Sequence, residues 1–162
     1  MGLFQSSPPG EEKPIEKWSD LLGETLTSKA GKPIDTDKKL EGCKRVALYF
    51  SAHWCPPCRG FTPVLAEFYD TVRGEVDDEE LEIIFVSSDR DEGEYKSYLS
   101  EQPWLAVPLS NSQVKRSLAS KYSVSGIPYL IVLDAKGMTR DASARNTVSR
   151  FKGDVKGTLA QW

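Results

Sequence analysis

Residues 54–58 read Trp54-Cys55-Pro56-Pro57-Cys58, two cysteines held apart by a pair of prolines. The run just before them, Val46-Ala47-Leu48-Tyr49-Phe50, is short, apolar and rich in β-formers, which predicts a buried strand. Just after them, Phe61, Leu65, Phe68, Tyr69 and Val72 recur at helical spacing and predict a helix over 61–72. Cys55 then falls at the helix N-terminus, and Cys58 one turn further in on the same side. Two sulfurs so placed can close a small disulfide and reopen it. The pair reads as a redox couple.

Cysteine attacks as its thiolate, and a free thiol has a pKa of about 8.5. The partial positive charge and unpaired N–H groups of a helix N-terminus favour that thiolate, so Cys55 is the expected nucleophile. Cys58, deeper in the helix, is the expected resolving thiol. Pro56 and Pro57 suit a first helical turn, where a missing N–H costs little, and they stiffen the loop. Trp54 shields one side of the sulfurs and offers a flat contact surface. Pro63 removes an intrahelical bond and predicts a kink. Further along, Gly126-Ile127-Pro128 immediately precedes an apolar strand, where a proline needs a special reason. In the cis form it sets the backbone of Ile127 against the cysteines, free to pair with an extended substrate.

Outward from this centre, Pro14 to Leu22 is expected as a short helix. Residues 24–34 are expected as a β-hairpin, with Ala30-Gly31-Lys32-Pro33 as its turn. Residues 81–86 form a second buried strand, followed by a charged turn over 88–92. Tyr95, Tyr98 and Leu99 mark a helix ending before Pro103, and Val114, Leu118 and Tyr122 mark another. Residues 129–133 are a third buried strand, and 134–137 turn into an edge strand. Strands alternating with helices predict an α/β fold: a central mixed β-sheet flanked by helices on both faces, with an N-terminal helix and β-hairpin extension. Residues 1–13, rich in Ser, Pro, Gly and Glu, are expected as a flexible tail, and 14–162 as one domain.

The 162 residues suffice for one core of ordinary size. With 39% hydrophobic and 28% charged residues the balance is that of a globular chain. Twenty-four acidic against 21 basic side chains give a net charge of -3, which argues against nucleic acid as a partner. No apolar run approaches the ~20 residues that cross a bilayer. No signal-peptide core precedes Pro8, so a CxxC here points to a reducing compartment, the cytoplasm, and to catalytic chemistry.

The WCPPC after a strand, the helix proline at 63 and Gly-Ile-Pro before a later strand resemble the thioredoxin fold. The strings Tyr49 to Gly60 (YFSAHWCPPCRG), 83–89 (IIFVSSD) and 103–108 (PWLAVP) are similar to the tryparedoxin and nucleoredoxin branch. The resemblance covers roughly residues 44–145. It implies a monomeric dithiol–disulfide oxidoreductase with no bound cofactor beyond the Cys55–Cys58 disulfide, passing electrons to oxidised proteins such as peroxiredoxins. It implies trypanothione, glutathione or a reductase as electron donor. Three positions depart from the pattern. Tyr49 stands where many thioredoxins carry a buried aspartate. Ser88 and Arg90 stand where tryparedoxins carry an aromatic and an acidic residue. Tyr129 replaces the threonine common after the proline.

Other readings compete. A redox-regulated adaptor, whose CPPC oxidation state controls association with a partner, uses the same residues. Cys43, His53, Cys55 and Cys58 offer four zinc ligands, but His53 and Cys55 are too close for paired knuckles, and no metal is expected. Cys43 is read as a small residue near the surface, with a regulatory thiol as the sharper alternative. His53 and Arg90 are candidates for tuning the thiols, against the plainer reading of solvated neighbours. Asp89 is read as part of a solvated turn, and Trp18 and Trp104 as packing residues. Met1-Gly2-Leu3-Phe4-Gln5-Ser6 fits the N-myristoylation pattern, with Gly2 as acceptor and membrane contact only through that chain.

Overall fold

The computed structural model describes residues 12–162. The elements run α1 (Trp18–Leu22), β1 (Thr25–Thr27), β2 (Pro33–Asp35), α2 (Thr36–Leu40), β3 (Arg45–Ser51), α3 (Pro56–Glu75) and β4 (Glu82–Ser87). They continue α4 (Glu92–Ser100), β5 (Leu105–Ala106), α5 (Ser112–Lys121), β6 (Tyr129–Asp134), β7 (Thr139–Asp141), α6 (Ala144–Ser149) and α7 (Val155–Leu159). The strands make one mixed sheet in the order β2-β1-β5-β4-β3-β6-β7. The β3–β4 and β4–β5 pairs are parallel, and the others antiparallel.

The three long strands are apolar on both faces because helices cover both. Ala47 and Tyr49 of β3, Ile83 and Phe85 of β4, and Leu130 and Val132 of β6 face a core built with α3, α4, α6 and α7. Their alternate neighbours, including Leu48, Ile84 and Ile131, face a second core with α1, α2 and α5. Each large apolar side chain so buried contributes roughly 1.5–3 kcal/mol. Trp18 and Trp104 are packing residues, as expected.

The sequence-based elements shift in several places. The first helix starts at Trp18, not Pro14, because the preceding segment runs beside β7: the Ile15 N–H donates to the Lys136 carbonyl, and the Glu12 carboxylate accepts from the Thr139 N–H. The hairpin turns over 28–32, where Gly31 has φ +79°, and Pro33 already belongs to the sheet-edge strand, where a missing N–H is tolerated. Four short elements escape periodicity: α2, the two-residue β5, α6 and α7. Pro63 lies inside α3 without ending it, leaving the Arg59 carbonyl without its helical donor. Gly2 lies outside the described residues.

Candidate functional site

Topology brings three loops together at one end of the central strands. Strands β3 and β4 are parallel, so Ser51 and Ser87 finish side by side. Strand β6 runs antiparallel to β3, so its first residue, Tyr129, pairs with Phe50 at that same end. The Ile127–Pro128 peptide preceding it is cis. The loop over 52–55, the loop after β4 and the Gly126-Ile127-Pro128 turn therefore meet. Outside the carboxyl ends of parallel strands is where open α/β sheets place their sites.

Cys55 is the N-cap of α3, with extended backbone, and the Cys58 N–H donates to its sulfur at 3.4 Å. Pro56 and Pro57 fill the first two helical positions, where the N–H groups have no helical acceptor. The two cysteines form a disulfide, with their Cα atoms 5.2 Å apart. Cys55 is 5% exposed and Cys58 0%, so Cys55 is the sulfur nearer solvent. The carbonyl oxygen of Ile127 lies 3.9 Å from the Cys55 sulfur, and its side chain packs on Ala52 and the cysteines. Trp54 is 47% exposed, the most exposed large apolar residue beside the disulfide, and its indole N–H donates to the Ser88 carbonyl at 3.2 Å. Arg90 stacks over that indole, 5.9 Å from the ring centroid.

Beneath Cys58 the structure places a closed ring of four hydroxyls that the sequence reading missed. Tyr49 lies 2.7 Å from Thr62, Thr62 meets Tyr98, Tyr98 lies 2.7 Å from Ser51, and Ser51 closes back on Tyr49 at 3.2 Å. Thr62 and Tyr49 also reach the Cys58 carbonyl, at 3.0 and 3.3 Å. Burial pushes the Tyr49 phenol well above the ordinary tyrosine range, and the neighbouring Tyr98 adds to that shift. The ring is uncharged. Two spacings signalled it: Tyr49 and Ser51 share one face of β3 at i, i+2, and Thr62 follows Cys58 by one helical turn.

The remaining candidates fall differently. Asp89 is not a solvated turn residue but 6% exposed: its carboxylate accepts from the His53 N–H at 2.8 Å and from the Ser87 hydroxyl at 2.8 Å. His53 is half-buried, its ring 5.7 Å from that of Tyr98. Cys43 is not near the surface but packed in the second core at 7% exposure, and burial raises its thiol pKa to about 11. It precedes β3, whereas Cys55 and Cys58 follow it. The seven residues of that strand separate the ends by about 23 Å, so the four-ligand zinc set is not assembled. A cleft of 380 Å³ between the β1–β2 connection and α4 shares no residue with this site.

The fold and the Cys55–Cys58 pair define a thioredoxin-like domain. The family model described as thioredoxin-like matches residues 42–139, and the chain belongs to that family, in its tryparedoxin and nucleoredoxin branch. It is 42% identical over 137 residues to mouse (Mus musculus) nucleoredoxin, a match covering 83% of this chain and 31% of that protein. It is 44% identical over 92 residues to the tryparedoxin of Trypanosoma brucei brucei, covering 57% of this chain and 62% of that one. The solved tryparedoxin I of Leishmania major superposes with TM-score 0.73 at 41% identity, over 86% of this chain and 93% of that one. The chain thus spans less than a third of the mouse nucleoredoxin it matches.

Proposed function

We propose that this chain is a dithiol–disulfide oxidoreductase that reduces protein disulfides, those of peroxiredoxins among them. The observation that carries this reading is the asymmetry of the two sulfurs. Cys55 caps a helix whose dipole and Cys58 N–H stabilise a thiolate, and Cys58 is sealed one turn below. In the reduced chain the Cys55 thiolate attacks one sulfur of a substrate disulfide and expels the other as a thiolate, leaving a mixed disulfide. The Cys58 thiolate then attacks the Cys55 sulfur, releasing the second substrate thiolate and closing the Cys55–Cys58 disulfide. Two electrons pass to the substrate, and the two protons leaving the cysteines end on its thiols. Trp54, Ile127 and Pro128 frame the entrance. A small dithiol, glutathione or a reductase restores the pair, and the cytoplasm is the compartment proposed for that cycle.

Support comes from a solved tryparedoxin II complexed with glutathionylspermidine, which this fold matches with TM-score 0.72 at 31% identity. The test is steady-state turnover of a disulfide-bonded peroxiredoxin with glutathione, trypanothione or a thioredoxin reductase as donor, alongside Cys55→Ser. Turnover abolished by the substitution supports the reading. A wild-type chain inert with all three donors, yet binding a partner differently when oxidised, replaces it with the adaptor.

A further inference from the structure

Trp54 is the residue before Cys55, and 47% of its surface stays open to solvent. An indole on an open loop would turn freely. This one is pinned, because its N–H donates to the Ser88 carbonyl at 3.2 Å. Ser88 is pinned in turn: its N–H donates to the Ser51 carbonyl at 2.9 Å, and Asp89 beside it holds the His53 N–H. The loop after β4 therefore presents the indole as a fixed, flat platform next to the nucleophile.

Arg90 stands on that platform. Its guanidinium carbon lies 5.9 Å from the indole centroid, and the residue is exposed. Among the described residues it makes no ion pair within 4 Å. The acids next to it in sequence are engaged elsewhere. Asp89 is buried, with its oxygens on the His53 N–H and the Ser87 hydroxyl. Asp91 caps α4 through the Glu94 N–H, and Glu92 lines the cleft toward the β1–β2 connection. Stacking occupies a face of the guanidinium and leaves its in-plane N–H groups free, in the fork that matches a carboxylate. A cation already held by stacking also loses less freedom when it pairs.

The form of the patch selects the partner. Small molecules are taken up in enclosed clefts, whereas Trp54 and Arg90 are both exposed, and Trp and Arg are the side chains that most often anchor protein interfaces. One guanidinium matches one carboxylate in charge and in geometry. We infer that Arg90, displayed on Trp54, is a specificity-determining residue that selects protein disulfides flanked by an acidic side chain. It pairs with that Asp or Glu while Cys55 attacks. The inference rests on the oxidoreductase function proposed above and adds no chemical step to the exchange already written.

The test is single-turnover oxidation of the reduced chain by three cyclic disulfide peptides, identical except that the residues flanking both cysteines are Glu, Gln or Lys. At low salt the wild-type chain is expected to react about threefold to fivefold faster with the Glu peptide than with the Gln peptide, and slowest with the Lys peptide. Added salt is expected to narrow that preference. Arg90→Gln is expected to lose most of it while reacting with the Gln peptide as the wild type does, and Arg90→Glu to prefer the Lys peptide. Lys136→Gln removes the same charge at the turn between β6 and β7 and is expected to keep the wild-type preference. Wild-type rates that are equal for all three peptides overturn the inference, as do Arg90 variants that keep the wild-type order. Equal slowing of all three peptides by Arg90→Gln assigns the residue a merely structural role and overturns it too. So does a loss of preference in Lys136→Gln as large as in Arg90→Gln, which would trace the effect to net charge. A wild-type chain inert toward all three peptides overturns the oxidoreductase reading itself, and this inference with it.

Discussion

The Asp89 carboxylate accepts the backbone N–H of His53 at 2.8 Å, tying the loop after β4 to the loop that leads into the cysteines. With the Ser88 N–H donating to the Ser51 carbonyl at 2.9 Å, it locks the two parallel strand ends together just upstream of Cys55. The consequence is measurable. Asp89→Ala leaves the His53 N–H without its acceptor and is expected to cost about 1–3 kcal/mol. Asp89→Asn, which keeps an acceptor oxygen, is expected to cost less. Urea denaturation of both variants decides it; equal losses in the two would show that hydrogen-bond acceptance is not what Asp89 provides.

The cysteine asymmetry predicts chemical order. In the reduced protein near neutral pH, iodoacetamide is expected to modify Cys55 at least about tenfold faster than Cys58, since the helix N-terminus favours its thiolate and Cys58 is sealed. Peptide mapping of partially alkylated protein gives the order. Faster labelling of Cys58 would reverse the roles of the two sulfurs.

Thr62 is the hub of the hydroxyl ring, touching Tyr49, Tyr98 and the Cys58 carbonyl. Thr62→Val keeps the shape and removes the hydroxyl. The expected loss is about 1–3 kcal/mol, a fall in Tm of roughly 2–12 °C for a domain of this size. Scanning calorimetry checks it, and an unchanged Tm would mean that the remaining hydroxyls re-pair without cost.

Alkaline pH is expected to weaken the fold. Burial raises the Cys43 thiol to about 11 and the Tyr95 phenol to about 12, each above its ordinary range. Both groups bind their protons more tightly folded than unfolded. Their contribution is therefore complete below about pH 9 and is lost as pH rises through the folded values. The urea midpoint is expected to fall between pH 8.5 and 11 in the wild-type chain, and to fall less steeply in Cys43→Ala; the same slope in both would clear Cys43 of any part in it.

The cysteine site was legible because its chemistry is local: a strand, two prolines and a helix spacing place Cys55 and Cys58 within one stretch of chain. A proline ahead of an apolar strand marks Ile127–Pro128 as a special position, while the cis isomer itself is seen only in the structure. Asp89 was misread because charge in a turn resembles solvation until the loops it joins are known to be adjacent. Cys43 was misread for the same reason, its burial being supplied by α1, α2 and the sheet. Strand β5 was lost because two residues carry no period, although their pairing between β1 and β4 completes the sheet.

The ring under Cys58 has one more consequence. Its four hydroxyls own four protons, yet six short contacts compete for them, four around the ring and two to the Cys58 carbonyl. No single arrangement satisfies all six, so at least two of the contacts lack a hydrogen in any one ordering. A buried carboxylate would present one permanent sign of charge to the sulfur above it. This neutral cluster offers Cys58 only hydroxyl groups, whose hydrogens rotate between acceptors.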